Sequence, residues 1–343
     1  MKKFILHLFY FLIPILVIGI VFSTPIDSFL SSNLKKSNTY AQKEFPTWNS
    51  IIEGRVNSDI IINGSSRAWV HINPTLISDC LSVSAYNLGI NGHNVFMQDF
   101  RMSLLLQKNT KPHLIIHSLD VFTLQKQKEL FNPDQILPYM LKIDDIKKTT
   151  LNYEGYKSID YEIPLIRYYG KFHAIKTAIS MYLAPRNNPI GRIKGYEGQN
   201  LHWNSDFEKA KSVMKSYKSL IDRSLVRLFE KYIQHCKMNK IKLIFVYTPE
   251  YIEGQHFIEN RQQVIAVYQQ LSEKYTIPFY DFSNDKISFN INFFYNATHL
   301  NKTGSEKLTK QLIDTIRKYD YITWKKVKLT PTFSPPLNKR VIF

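Results

Sequence analysis

The sequence predicts an α/β fold in three layers, α/β/α, with a parallel sheet covered by helices on both faces. Three observations carry this. Short β-branched runs recur along the chain, each closes on turn residues, and stretches of helical periodicity lie between them. Strands that alternate with helices are joined by crossovers, which make the strands parallel and place helices over the sheet.

The chain opens on Met1, Lys2 and Lys3, followed by an apolar run from Phe4 to Phe22 broken only by His7, Pro14 and Gly19. That run is long enough to cross a bilayer core as a helix. A secretory signal peptide suits the same pattern. The apolar part exceeds a usual signal core, however, and Phe22-Ser23-Thr24-Pro25 is a poor small-residue cleavage site. A retained transmembrane anchor over residues 1–25 is therefore the expectation. With Lys2 and Lys3 held inside, a single-pass chain in the cytoplasmic (inner) membrane places everything beyond it on the outer, periplasmic or extracellular side.

Residues 26–55 are mixed and polar, without a strong period, and read as a stalk. The ordered domain is expected over 56–325, beginning at Asp59-Ile60-Ile61-Ile62 and its turn Asn63-Gly64, with a C-terminal tail over 326–343. Further strand signals are Ser82 to Asn87, His113 to His117, Lys242 to Tyr247 and Ile277 to Tyr280. Helical stretches fall at about 95–107, 207–236, 257–274 and 303–318. A segment from about 125 to 205, rich in Tyr, Lys, Ile and Pro, breaks this rhythm. It reads as a helical insertion, with a helix over 163–183, serving as a lid or as an accessory packing subdomain.

Lysine and arginine number 45 against 28 aspartates and glutamates, a net charge of +17. Such an excess attracts nucleic acid, anionic lipid or an acidic polymer. The basic residues are scattered in short clusters such as Lys147-Lys148 and Lys325-Lys326, which argues for a solvated basic surface and against nucleic acid. Two cysteines, Cys80 and Cys236, are too few for a disulfide scaffold or a zinc cage. A single bridge in an oxidising compartment and two isolated thiols both fit. The histidines His71, His93 and His117 show no metal-ligand spacing and read as packing or polar-network residues.

Ligands of open parallel sheets bind beyond the carboxyl ends of the strands, and three such places carry chemistry. The first is Asn63-Gly64-Ser65-Ser66-Arg67-Ala68, where a serine at a helix start is either a nucleophile in the positive end of the helix dipole or an N-cap. The second is Asn87-Leu88-Gly89-Ile90-Asn91-Gly92-His93-Asn94. Its glycines either present backbone N–H groups to an oxyanion or simply make a turn. The third is Asn296-Ala297-Thr298-His299-Leu300-Asn301 before a C-terminal helix, where His299 suits a general base oriented by the side chain three residues earlier. Glu250, after Thr248-Pro249, lies at another strand end and is expected to line the cleft.

Together these blocks resemble the SGNH or GDSL hydrolase superfamily. Gly64-Ser65-Ser66 matches its nucleophile block, Asn87, Gly89 and Gly92 its second block, and Asn296 to His299, with Leu300-Asn301 and Gly304, its last. The match spans about 59–318 with the insertion unaligned. Gly-Ser-Ser behind a membrane anchor is most similar to the envelope branch, which includes the D-alanyl transfer protein of lipoteichoic acid synthesis and alginate O-acetylation proteins. The resemblance implies a flavodoxin-like sheet and no cofactor. It gives Ser66 as nucleophile, His299 as base oriented by Asn296, and the N–H groups of Ser66 and Gly92 as the oxyanion hole. Ser65, Asn87 and Asp120 would stand behind them. It also implies an acyl esterase or O-acyltransferase acting on an envelope polysaccharide beside a membrane-bound O-acyltransferase. A non-catalytic module that binds the polymer or scaffolds that acyltransferase is the alternative.

The sequence departs from the family pattern twice. The third block normally gives an Asn to the oxyanion hole, but here the strand runs Ile116-His117-Ser118-Leu119-Asp120-Val121. One missing donor is worth roughly 3 kcal/mol in the barrier, and a carboxylate in that place would repel an oxyanion unless protonated or turned away. The family's triad Asp is replaced by Asn296, with Asp281 or Asp285 as candidates to stand in for it.

Overall fold

Five strands form the sheet: β1 (Ile60–Gly64), β2 (Ala85–Asn87), β3 (Leu114–Leu119), β4 (Lys242–Tyr247) and β5 (Phe279–Asp281), all parallel, in the order β2-β1-β3-β4-β5. This is the flavodoxin-like order, with its topological switch point beside β1. In this computed structural model residues 2–319 and 321 are described, apart from the side chains of residues 2, 5, 9, 15, 16, 18 and 20. The tail over 326–343 lies outside the described residues.

The strands are apolar because both faces are covered. Alternation sends Ile60, Ile62, Leu114, Ile116, Ile244 and Val246 to one face and Ile61, Ile115, Phe245 and Tyr247 to the other. In chain order the helices are α1 (Lys2–Leu34), α2 (Phe45–Ile52), α3 (Ser66–His71), α4 (Pro74–Leu81), α5 (Val95–Lys108), α6 (Asp144–Thr150), α7 (Phe172–Leu183), α8 (Asp206–Val213), α9 (Arg223–Met238), α10 (Ile252–His256), α11 (Arg261–Tyr275) and α12 (Lys302–Lys318). The first face carries Ala68, Ile77 and Leu81 of α3 and α4 with Leu312, Ile313 and Ile316 of α12. The second carries Leu104 and Leu105 of α5, Phe229 and Ile233 of α9, and Val264 and Tyr268 of α11. A small antiparallel hairpin, β6 (Phe294–Asn296) and β7 (His299–Leu300), precedes α12.

Residues 26–55 are not a stalk. Leu30, Leu34, Phe45, Trp48 and Ile51 are buried in the main core. Among its polar residues Asp27, Ser31, Asn33, Ser37, Glu44 and Thr47 are buried too, and both of the carboxylates are paired. Asp27 receives two Arg167 nitrogens at 2.7 Å each, and Glu44 is held by Arg101 and Arg192 at 2.6 Å each.

Two helices are shorter than expected. The stretch 207–236 is divided because Asp222 accepts the N–H groups of Ser224 and Leu225 at 2.7 and 3.2 Å and so caps a new helix. Of 163–183, only α7 is α-helical. Leu165 sits at φ 69°, a left-handed conformation that a right-handed helix cannot run through.

The insertion packs α7 along α1 and also meets the carboxyl end of β2, where the Lys194 carbonyl accepts the Asn87 N–H at 2.9 Å. Cys80 is exposed, Cys236 is buried, and both are free thiols. The apolar N-terminal run forms the first part of α1, where Phe4, Leu6, Leu8, Tyr10, Val17 and Phe22 are exposed. Among the described residues, no helix is long and apolar enough to cross a membrane.

Candidate active site

β1 delivers the first side chain. Gly64 sits at φ 142° opposite Ser118 of β3, and a Cβ there would run into the Ser118 carbonyl. The strand can therefore turn sharply into α3 only with glycine at this point. Ser65 caps α3, its hydroxyl oxygen accepting the Arg67 N–H at 3.3 Å and its O–H donating to Asp120. Ser66 is the first residue of the helix. The cap is made by Ser65, so the Ser66 hydroxyl takes no part in it.

Ser66 Oγ lies 2.8 Å from His299 Nε2 across the hairpin. The direction of this bond follows from the other side of the ring. Asn296 Oδ1 accepts the backbone N–H groups of Thr298 and His299 at 3.1 and 2.9 Å, so the oxygen of the amide, not its nitrogen, faces the imidazole. His299 Nδ1 is 3.0 Å from that oxygen and must carry the ring proton. Nε2 is left with its lone pair towards Ser66, which donates.

Burial, and then the nearby Arg67 guanidinium, push the His299 pKa down to about 4. The imidazole is neutral at pH 7, as a general base has to be. Tyr295 stacks on it at 5.4 Å between ring centres. His71 secures the hairpin from below: its Nε2 accepts the Leu300 N–H at 3.0 Å and its Nδ1 lies 2.7 Å from Thr248 Oγ1. Asp281 and Asp285 do not stand in for the triad acid. They accept the backbone N–H groups of Ser283 and Ile287, at 2.9 and 2.8 Å.

Around Ser66 and His299 lies a pocket of about 230 Å³, lined also by Ser65, Gly92, Asp120, Glu250 and Thr298. Gly92 takes φ 72°, its carbonyl receives the Gln127 amide at 2.6 Å, and a Cβ would strike the Phe131 ring. Its N–H and that of Ser66 have no partner among the described residues. Asn87 stands behind this loop instead of lining the pocket. Its oxygen accepts the Gly89 N–H at 2.8 Å and its nitrogen donates to the carbonyls of Ala68 and Ile72, at 2.8 and 2.9 Å, tying the glycine loop to α3.

Asp120 is turned away from the place of the missing Asn. One oxygen receives the Ser65 hydroxyl, the other the Phe122 N–H at 2.7 Å. Glu250 is committed as well, to Arg67 at 2.9 Å, Arg261 at 3.3 Å and the Tyr247 hydroxyl at 2.8 Å. Sequence reasoning gave no role to Arg67 or Thr248 and read His71 only as a packing or polar-network residue, because their roles rest on contacts between distant parts of the chain. The pairing of His71 with Thr248, for example, joins residues 177 positions apart. The insertion gives the pocket only Gln125 and Gln127.

No group of three or more His, Cys, Asp or Glu able to hold a metal ion occurs among the described residues. A larger cavity of about 1570 Å³ lies between α1 and α7, lined by residues such as Phe29, Leu30, Leu137 and Ile175. It contains neither Ser66 nor His299.

No protein-family model matches the sequence, and no curated protein matches it. Among solved structures, the chain is similar to an acetyl xylan esterase, AlAXEase, at 13% identity, over 75% of this chain and 98% of that one, with a TM-score of 0.39. It is also similar to a GDSL-like lipase from Bacteroides thetaiotaomicron VPI-5482, at 12% identity, over 81% and 97% of the two chains, with a TM-score of 0.38. Neither likeness is close enough to carry an activity over to this chain.

Proposed function

We propose that the protein is a serine esterase or O-acyltransferase of the SGNH type, acting on ester-linked acyl groups of a cell-envelope polysaccharide. The observation that carries the reading is the Ser66 hydroxyl 2.8 Å from a His299 nitrogen whose tautomer Asn296 fixes. A nucleophile, a base and a group that orients the base are the parts covalent acyl transfer requires.

Ser66 Oγ attacks the acyl carbonyl carbon as its proton passes to His299 Nε2. The tetrahedral oxyanion accepts the N–H groups of Ser66 and Gly92. Collapse breaks the ester bond, the leaving oxygen takes the proton back from His299, and the acyl group stays on Ser66. A water or a sugar hydroxyl, deprotonated by His299, then attacks and frees the serine. At about 230 Å³ the pocket suits a short acyl group.

The polysaccharide and the membrane-bound acyltransferase partner rest on the sequence resemblance. Membrane placement rests on the run from Phe4 to Phe22 and on the exposed apolar side chains of the first part of α1, since exposed apolar surface of this kind seeks a membrane or a partner.

A chromogenic acetyl ester and a serine-reactive phosphonate test the reading. Wild type is expected to turn over the ester and to be labelled, and Ser66→Ala to lose both. A well-folded wild type that is neither labelled nor active would leave the binding-module alternative, which Asn296 in the triad-acid position favours.

A further inference from the structure

Asn296 meets His299 with an oxygen that is already engaged. Asn296 Oδ1 accepts the backbone N–H groups of Thr298 and His299 at 3.1 and 2.9 Å, and a carbonyl oxygen has two lone pairs. The His299 Nδ1–H, 3.0 Å away, is a third donor to that oxygen and competes there with the two amides that hold the hairpin turn.

A second oxygen faces the same proton. Thr298 Oγ1 also lies 3.0 Å from His299 Nδ1, and it lies 3.3 Å from Asn296 Oδ1. The amide oxygen has no hydrogen to give, so the Thr298 O–H donates along the longer side of this triangle. Nδ1 carries the ring proton, so Thr298 Oγ1 accepts along the shorter side. A hydroxyl that donates is polarised into a better acceptor, and the two bonds support each other.

Resting on the proposed esterase reading, we propose that Thr298 is a positioning residue for the base: its hydroxyl oxygen shares the His299 ring proton with Asn296. The role of one triad carboxylate is then divided between two neutral side chains. Thr298 precedes His299 directly and lines the same pocket, so the ring is held from its own neighbour as well as from across the turn. When Ser66 gives its proton to Nε2 the ring becomes cationic, and both acceptors hold its Nδ1–H more strongly.

The test uses the full-length chain with the chromogenic acetyl ester. Thr298→Val keeps the shape and the backbone N–H and loses the oxygen; Thr298→Ser keeps the oxygen. Loss of one hydrogen bond to the base lowers kcat by about tenfold. That loss is expected for Thr298→Val at little change in KM, with Thr298→Ser within about threefold of wild type. In the Asn296→Asp background a carboxylate has lone pairs to spare, and Thr298→Val should cost less than about threefold. A Thr298→Val kcat at the wild-type level, a Thr298→Ser as slow as Thr298→Val, or an equal loss in both backgrounds overturns the proposal. Thr298→Ala takes the place of Thr298→Val if that variant does not fold. The bond can also be read without turnover. In ¹⁵N-histidine-labelled protein the His299 Nδ1–H resonance, assigned by its absence from His299→Gln, should move upfield in Thr298→Val, and an unmoved resonance overturns the shared bond. The two readings fail separately: a wild type that neither turns over nor labels at Ser66 sinks the esterase reading, and the resonance then decides the Thr298 bond by itself.

Discussion

His299 is held between a hydroxyl and an amide, and the amide sets how strong a base it can be. Asn296 orients the ring as well as a carboxylate would, but it offers no full charge to the imidazolium formed when Ser66 gives up its proton. In Ser-His-Asp triads the change of Asp to Asn costs about 10⁴-fold because it imposes the wrong tautomer, and the Asn296 oxygen facing Nδ1 avoids that part of the loss. With the His299 pKa pushed down to about 4, the neutral, active form persists far into acid. Wild-type kcat/KM should stay level through neutral pH and fall only as pH drops through about 4. Asn296→Asp places a carboxylate where the amide oxygen now lies, 3.0 Å from Nδ1, and keeps an acceptor for the Thr298 and His299 N–H groups. It should raise kcat about 10–10²-fold and move the acid limb to higher pH. Initial rates from pH 3.5 to 8 for both proteins check this, and a limb that does not move would mean that Asn296 is not the group that governs His299.

The loop after β2 is the element on which the proposed oxyanion hole depends, and it is clamped from outside the sheet. Glu44, between α1 and α2, binds Arg101 of α5 and Arg192 of the insertion; both guanidiniums also donate to the Gly89 carbonyl, at 3.3 Å each. Burial alone would raise the Glu44 pKa, but Arg192 and Arg101 together hold it below the usual carboxylate value. A depressed pKa contributes stability above the unfolded carboxyl value, roughly 4.3, and that contribution is lost as pH falls through the folded value. Arg192→Met removes one of two partners from a buried charge, which costs about 3–5 kcal/mol. Thermal melts from pH 3 to 7 should show a large drop at pH 7 that narrows in acid, and an unchanged melting temperature would remove the clamp from consideration. The same elements show what a sequence can reveal. β1, β3 and β4 were legible because strands covered on both faces are continuous apolar runs; Ser66 stood out as the serine after such a run, Gly92 as part of a glycine turn after a strand signal, and His299 as a histidine before the C-terminal helix. The clamp was not, since Glu44 and Arg192 are 148 positions apart and nothing local distinguishes a buried Glu44 from a solvated one. Asp120 was legible as a threat to the oxyanion, but its turn towards Ser65 and Phe122 depends on tertiary packing.

At the scale of the whole chain, α1 belongs to two environments. Before about Ser23 its described apolar side chains lie exposed. From Asp27 onward it is fixed by the buried Arg167 pair and by Leu30 and Leu34 in the core. The packed part of the chain therefore begins inside the helix, ahead of the bound expected at Val56 and of the strand pattern that starts at Asp59. Removing residues up to Phe22 should leave a folded domain. Removing residues up to Arg55 takes away Leu30, Leu34, Phe45, Trp48 and Ile51, at about 2–5 kcal/mol for each large buried side chain, against a total stability of about 5–15 kcal/mol. The longer truncation should not fold, which circular dichroism and limited proteolysis will show. The shorter one also tests the proposed membrane placement. If the first part of α1 is the anchor, the full-length chain fractionates with membranes after a high-salt wash that strips a merely basic surface from anionic lipid, while the truncated chain is recovered in the soluble fraction with its esterase activity intact. Recovery of both proteins in the soluble fraction would remove the anchor, and with it the reason for placing Ser66 and His299 on the outer side of a membrane.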